Sequence, residues 1–406
     1  MTERRVTFAE RRARLGCRHR LVDSGSSVES VVDDLVVLHA TDPATIYLSV
    51  GARVEGAAPS DVERSLFEDR TTLRTLAMRR TLFVPTVGGA AAVEASSSID
   101  VAAIERRRLE QFLSDSDIDE PTQWLDDVAG EVSGALADAG PDGFLARELT
   151  AAVPRLGTRI LMGRGTKHPV DAPATSRVLG VMAVEGRLVR GRPSGDWTGR
   201  QYRWHRRDRW WPDGEGPASA ELDPEEAARR LLGRYVARFG PVTVVDTKWW
   251  TGWTMTKTRR VLAELDVAEV ELVADDGGAA STGYLLADDL ETVEAPEPWA
   301  ALLPSLDPTP MGWKERDWYL DPDHIAELFD RNGNVGPTVW VDGRIVGGWS
   351  QRPDGEVVTT LLATVDAERR TLIDAAADRV AGFVGPTVVK PSFPTPLQKR
   401  LSAPAG

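Results

Sequence analysis

Three times along the chain, helical stretches are followed at once by a pair of short strands, and this recurring order limits the fold more than any other feature. In the middle third, "PDGFLARELTAAVPRLG" reads as a helix opened by Asp142 and Gly143, with Leu145, Leu149 and Val153 on one face. After a short connector, "VDAPATSRVLGVMAVEG" carries a second apolar face through Val178 and Met182 and ends at Gly186, a helix stop. "RLVRGRP" and "RQYRWHRRDRW" then predict two strands joined by the turn-forming "SGDWTG". Helix, turn, helix and hairpin is the order of a winged helix.

The same order returns from residue 223. "DPEEAARRLLGRYVARFG" predicts a helix started at Asp223 or Pro224 and stopped by Gly240; "VTVVDTKWWTG" and "TMTKTRRVLAEL" supply two more, and "VAEVELVADDGGAASTGYLLADDLE" closes with a glycine-rich hairpin. The opening third fits the pattern too, with helices near 28–38, 43–53 and 59–68 ahead of "TLRTLAMRRTLFVPT", where Leu82 and Val84 suggest strand. The tail differs. "PTVWVDGRIVGGWSQRPDGEVVTTLL" alternates as a small antiparallel sheet or barrel does, and one amphipathic helix, 366–384, follows. The fold expected is α+β: three tandem winged-helix units (1–140, 141–220, 221–295) and a C-terminal β-rich, barrel-like unit (296–406).

With 406 residues, 42% of them hydrophobic, the chain can bury several cores. No uninterrupted apolar run reaches the ~18 residues of a membrane span, and "MTERRVTFAERRARLG" lacks the apolar stretch of a signal peptide, so a cytoplasmic protein with no membrane partner is expected. Cys17 is the one cysteine, which excludes an internal disulfide and a cysteine-based metal cluster. Histidines 19, 39, 168, 205 and 324 are scattered. No metal and no organic cofactor is expected. "DRNGNVG" lacks the later acids of a calcium loop and reads as a turn. G-x-S-x-G, Walker A and dinucleotide fingerprints are absent.

Net charge is −13, which taken alone argues against nucleic acid. Its distribution argues the other way. Residues 155–211 hold thirteen Lys or Arg against four acids, a segment of +9 on a remainder of −22. A basic strip on an acidic body suits a protein that holds phosphates in one groove. The strip is also aromatic: Trp197, Tyr202 and Trp204 lie in or beside the hairpin, with Trp204 read as its anchor. Trp249, Trp250 and Trp253 sit at helical spacing and read as core.

One short stretch interrupts an apolar run. In "LVVLHATDPATIYLS" the polar His39, Thr41 and Asp42, followed by Pro43, separate two helical patterns and predict a turn between helices. Asp42 is a favoured N-cap and Pro43 suits the first helical position. Capping explains Asp42 but leaves His39 and Thr41, which flank Ala40 and can face the same side.

"LHATDPATIYLSVGAR", "LRTLAMRRTLFV", "YVARFGPVTVVDTKWWTGW", "YLLADDLE" and "LLPSLDPTPMGWKERDWYL" together resemble the bacterial winged helix DNA-binding domain-containing proteins, the family of the DNA glycosylases AlkZ and YcaQ (AlkX). The resemblance implies tandem winged helices and a β-rich unit forming a concave cradle for double-stranded DNA, alkylated or crosslinked. It also implies hydrolysis of the N-glycosidic bond at the turn. In the glycosylases that turn carries glutamine, an apolar residue, then glutamine or aspartate, which hold the water and support the positive sugar; here it is His39, Ala40 and Thr41. The site is therefore carried over by place.

An N7-alkylated purine is already cationic, so the protein must chiefly support an oxocarbenium-like sugar and place a water. Neutral His39 has an acceptor nitrogen able to take a proton from water, and Thr41 can add a hydrogen bond. Asp42 is the only carboxylate in the turn, with capping aiming it at backbone amides. These three are the candidate catalytic residues. The candidate DNA contacts are Arg74, Arg79 and Arg80 in the first unit, and Arg164, Lys167, Arg177, Arg190, Arg192, Arg200, Arg203, Arg206 and Arg207 in the basic segment. "LLPSLDP", with Lys314 and Arg316, reads as internal scaffold more readily than as a DNA contact. The alternative is a winged-helix regulator or lesion binder without catalysis. Several winged units in one chain favour the glycosylase and a monomer, since one-unit regulators more often dimerise across two half-sites; the His-Ala-Thr departure favours the binder.

Overall fold

The computed structural model describes residues 4–212, 214–278 and 280–403. In the opening third, Ser27 and Ser30 cap each other's backbone at the start of helix Val28–Asp34, which buries Val28, Val31 and Val32. The helix stops earlier than the apolar spacing suggests. Val36 takes a left-handed conformation (φ 65°), and Leu38–His39 forms a short strand in place of the expected helix end. Residues 35–38 are buried on every side, and in such a run periodicity cannot separate helix from strand. His39 is thus on a strand leading into the turn, opposite Phe83 of Leu82–Val84; Thr75–Leu76 completes a sheet in the order 38–39, 82–84, 75–76. Asp42 then caps helix Pro43–Gly51 with Pro43 in its first turn, as the sequence indicates, and Pro59–Glu63 continues as a π-helical turn over Arg64–Glu68.

The apolar spacing gives no warning of the next two helices. Residues Val87–Ser114 form one 28-residue helix, long and apolar enough by composition to cross a bilayer. Glu94 lies within it, and its carboxylate is paired with Arg207. Pro121–Ala137 follows and buries Leu125, Val128 and Val132 with Leu149, Val178, Met182 and Trp204 of the middle third.

In that middle third the helix expected over 141–157 is shorter: Phe144–Leu145 is strand, and Glu148 caps the helix Ala146–Ala152. The connector is itself a hairpin, Arg159–Met162 paired with Val170–Pro173, turned through left-handed Gly163 and Gly165. After helix Thr175–Val184, strands Leu188–Pro193 and Tyr202–Arg206 form the second hairpin, in a sheet ordered 144–145, 202–206, 188–193. Trp204 is buried opposite Phe144, an anchor as read from the sequence.

Helices Pro224–Phe239, Val244–Thr251 and Met255–Ala263 start at Asp223, Thr243 and Thr254, whose side chains accept amide hydrogens. Strands Val267–Val273 and Ser281–Leu286 follow, with Arg5–Thr7 added parallel to the first. The C-terminal sheet is an open four-stranded antiparallel meander, Ala300–Leu303, Thr338–Val341, Arg344–Gln351 and Val357–Leu361, and not a barrel. It does not stand apart. Val339, Trp349, Ile373 and Val380 share a core with Val31, Leu35, Tyr47 and Leu48, so the two ends of the chain are folded together.

Candidate active site and nucleic-acid interface

The His39 turn is anchored from behind. Arg53, at the end of the capped helix, and Asp307 are both fully buried and meet in a two-pronged ion pair of 2.7 and 2.8 Å. Arg53 uses every guanidinium nitrogen, donating also to the His19 and Ser49 carbonyls and to Thr309 Oγ1. Asp307 accepts in addition from Ser49 Oγ and the Thr309 amide. Burial alone would raise the Asp307 carboxyl, but the charge of Arg53 and these hydrogen bonds outweigh it and hold it below its ordinary value. The stretch around "LLPSLDP" is scaffold, and its anchoring fixes the helix that starts at the turn.

In the turn, His39 is 5% exposed and packs edge-on against Phe83 at 5.2 Å. Burial, and secondarily the charge of Arg79, push its pKa down to about 3, so the ring is neutral at physiological pH. Its Nδ1 faces the Thr41 amide at 3.4 Å, a long hydrogen bond that favours the tautomer with the proton on Nε2. Thr41 is exposed. Asp42 is buried and occupied at both oxygens: Oδ1 accepts from the Ala44 amide at 3.3 Å and Oδ2 from the Ser392 amide at 3.0 Å. Residues 385–395 thus strap the turn from the far end of the chain, held also by the Val389 amide on Gln351 Oε1. A cavity lies beside it, lined by Leu48, Trp349, Val380 and Val384, with Asp42, Gln351 and Gln398 among its polar members. Ser392 and Gln351 carried no signal in the sequence.

The candidate cations fall into two groups. Many are already paired: Arg192 with Glu63 and Glu68, both at 2.8 Å, Arg206 with Asp208, and Arg207 with Glu94 through two bonds of 3.0 and 2.8 Å. Arg203 lies 3.7 Å from Glu148, and Arg80 lies 3.6 Å from Glu105. Arg200 donates to Ser392 Oγ, and Arg177 meets Met162 sulfur at 3.3 Å. Arg74 is buried over the Tyr202 ring, and Arg190 stacks over Trp204 with its pKa brought down to about 10 by burial. Arg164 and Lys167, by contrast, stand exposed at the tip of the first hairpin. Trp250 and Trp253 are core as read, whereas Trp249 is only half-buried. Among the described residues, no three His, Cys, Asp or Glu side chains converge as a metal site requires.

The chain is 28% identical over 146 residues to an interstrand DNA cross-link repair glycosylase of Streptomyces sahachiroi; the match spans 34% of this chain and only 38% of that protein's length. Its structure is similar to that of the Streptomyces sahachiroi DNA glycosylase AlkZ, with a TM-score of 0.68 and 20% identity, covering 93% of this chain and 97% of the other. That likeness establishes a shared mixed α+β fold. The family described as DNA glycosylase AlkZ-like matches residues 32–383. The chain belongs to the AlkZ-like DNA glycosylase family.

Proposed function

We propose that the protein is a monofunctional DNA glycosylase that hydrolyses the N-glycosidic bond of an alkylated or crosslinked purine, with its chemistry at the His39–Asp42 turn. The observation that carries this reading is a neutral imidazole beside an exposed hydroxyl, at the place where the family resemblance puts the hydrolytic site. On cleavage, the C1′–N9 electron pair passes to the purine and cancels its charge. Water adds to C1′ and gives up its proton to solvent. A cationic histidine beside the sugar would oppose the oxocarbenium ion, and burial keeps His39 neutral. With Nδ1 turned to the Thr41 amide, His39 orients water through Nε2–H and Thr41 Oγ1 accepts from it, while Asp42 holds the helix and strap. Deprotonation of water by His39 is unnecessary for so good a leaving group.

The protein reads DNA as a monomer with three winged-helix units lining a concave cradle. Support comes from the order helix, strand, helix, helix and two strands, which occurs over 28–84 and, with the first hairpin inserted, over 121–206. The third unit, 224–286, has three helices ahead of its hairpin. The first and middle units meet ahead of residue 99 and not near 140, since the helices from residue 99 onward share the core of the middle third. Exposed Arg164 and Lys167 lead the phosphate contacts. The occupied Asp42 favours a second reading, lesion binding without hydrolysis. Incubation of the purified protein with duplexes bearing N7-methylguanine or an interstrand crosslink decides between them: abasic sites are expected, and tight binding without base release supports the second reading.

A further inference from the structure

Two guanidinium groups share the ring of Trp249. Arg79 lies 4.2 Å and Arg316 4.9 Å from its centroid. They arrive from distant segments: Arg79 from the link between strands Thr75–Leu76 and Leu82–Val84, Trp249 from helix Val244–Thr251, and Arg316 from the loop after buried Trp313. The link that carries Arg79 leads into the strand paired with His39, so the cluster sits beside the turn.

The cluster holds no anion, as is also true of Arg74 and Arg190 over Tyr202 and Trp204, but here two guanidinium groups lie over one ring. Among the described residues, neither guanidinium has a carboxylate oxygen within 4.0 Å. Asp246 accepts from the amides of Thr243, Lys314 and Glu315, and Glu315 from the Thr243 hydroxyl, while Asp317, next to Arg316 in the chain, is exposed. The Arg316 guanidinium donates from Nε to the Pro310 carbonyl at 3.3 Å. Its Nη2 and the Nε of Arg79 are closed off from solvent without a partner. A single cation on an indole is an ordinary attraction, but a second on the same ring must overcome repulsion from the first. Burial, followed by the charge of Arg316, brings the Arg79 guanidinium down to about 10.

The backbone is committed as well. Arg79 and Arg80 both hold left-handed conformations, φ 54° and 57°, which side chains other than glycine seldom adopt. Gly252, itself left-handed at φ 73°, packs so closely that a Cβ there would stand 3.1 Å from the Arg79 nitrogen. Three segments therefore hold two like charges against one indole with no anion to offset them. A tetrahedral oxyanion satisfies both forks at once and turns repulsion into attraction.

We propose that Arg79 and Arg316, spaced by Trp249, bind one phosphate diester of the duplex backbone next to the nucleotide presented to the His39 turn. The site rests on the DNA-binding reading above and adds a fixed register to it: gripping one phosphate sets which sugar faces the turn.

The test is the salt dependence of binding to a short undamaged duplex by Arg79→Gln, Arg316→Gln and the double variant. Each single change is expected to lower the magnitude of the slope of log affinity against log salt by about 0.9, and the double change by no more, because one phosphate is lost in every case. Arg316→Lys keeps the charge and should keep the slope. In wild type, replacing phosphates one at a time with neutral methylphosphonate should reveal one linkage to which Arg79→Gln and Arg316→Gln are indifferent. Unchanged slopes, or a loss near 1.8 in the double variant, overturn the shared site. If the glutamine variants unfold, the scan is run with Arg79→Lys and Arg316→Lys, whose affinity losses should both vanish at the same single linkage; losses that vanish at different linkages, or at none, overturn it. Wild type that binds no duplex overturns the DNA reading itself; wild type that binds with indifferent variants overturns only this site.

Discussion

Arg53 and Arg79 belong to the same N-terminal third and use the same functional group in opposite ways. Arg53 is enclosed, paired with Asp307, and has a partner for every nitrogen. Arg79 lies against an indole beside another arginine, with a closed-off nitrogen that bonds to nothing. A fully satisfied buried charge contributes to holding a fold in one arrangement, whereas an unsatisfied one is tolerated where a ligand completes it. The difference separates scaffold from interface more sharply than charge alone.

The largest effect should come from breaking the satisfied member. Arg53→Ala or Asp307→Ala leaves a buried charge alone and should cost about 3–5 kcal/mol of unfolding free energy, measured by urea denaturation. Arg79→Gln should cost far less. Equal costs would erase the comparison.

Acid should come next. His19 is buried, with Nδ1 at 2.9 Å from Thr309 Oγ1, and its pKa is brought down to about 3 by burial and then by the charge of Arg53. His39 behaves alike. Between a native value near 3 and an ordinary unfolded value near 6.5, the unfolded chain binds protons that the native protein refuses. Stability should therefore fall as pH drops below about 6.5, by up to about 1.4 kcal/mol per pH unit for each histidine. Asp307 has the depressed carboxyl and adds its loss only below about pH 4. His19→Gln should remove one histidine's share of the slope; a stability unchanged from pH 7 to 4.5 would contradict the buried neutral assignment.

The smallest effects on folding belong to the exposed cations. Arg164→Ala and Lys167→Ala should leave unfolding unchanged and lower the magnitude of the salt slope of duplex binding by roughly 0.9 each. Arg207→Ala, which strips Glu94 of its partner, should do the reverse: lower stability with little change in slope. Matching behaviour of the two groups would show that ion pairing does not predict which cations are free for DNA.

Local signals in the sequence were readable because they act locally. Asp42 with Pro43, Asp223 with Pro224, and left-handed Gly186 stand where capping chemistry puts them, and Gly240 ends its helix in an extended conformation. The hairpin over 159–173 escaped because its strands are short and bury only Ile160 fully, so alternation never develops. Strand Leu38–His39 escaped for the opposite reason, being buried throughout. The basic run promised a free cationic surface, but Glu63, Glu68, Glu94 and Glu148 come from other elements to neutralise much of it. Most distant of all, Ser392 reaches Asp42 across 350 residues, a contact that no window of sequence contains.

Single-turnover release of N7-methylguanine from a duplex tests hydrolysis at the His39 turn most directly. Wild type is compared with His39→Ala and with the double change His39→Gln, Thr41→Asp, which writes the glycosylase pattern into the turn. Wild type should release base at a rate without an inflection near pH 6.5, because His39 stays neutral down to about 3. His39→Ala should be slower while binding equally well, and the double variant at least as fast as wild type. No release by wild type, with release gained by the double variant, would make this chain a binder whose turn has lost its chemistry; equal rates in all three would place the chemistry elsewhere.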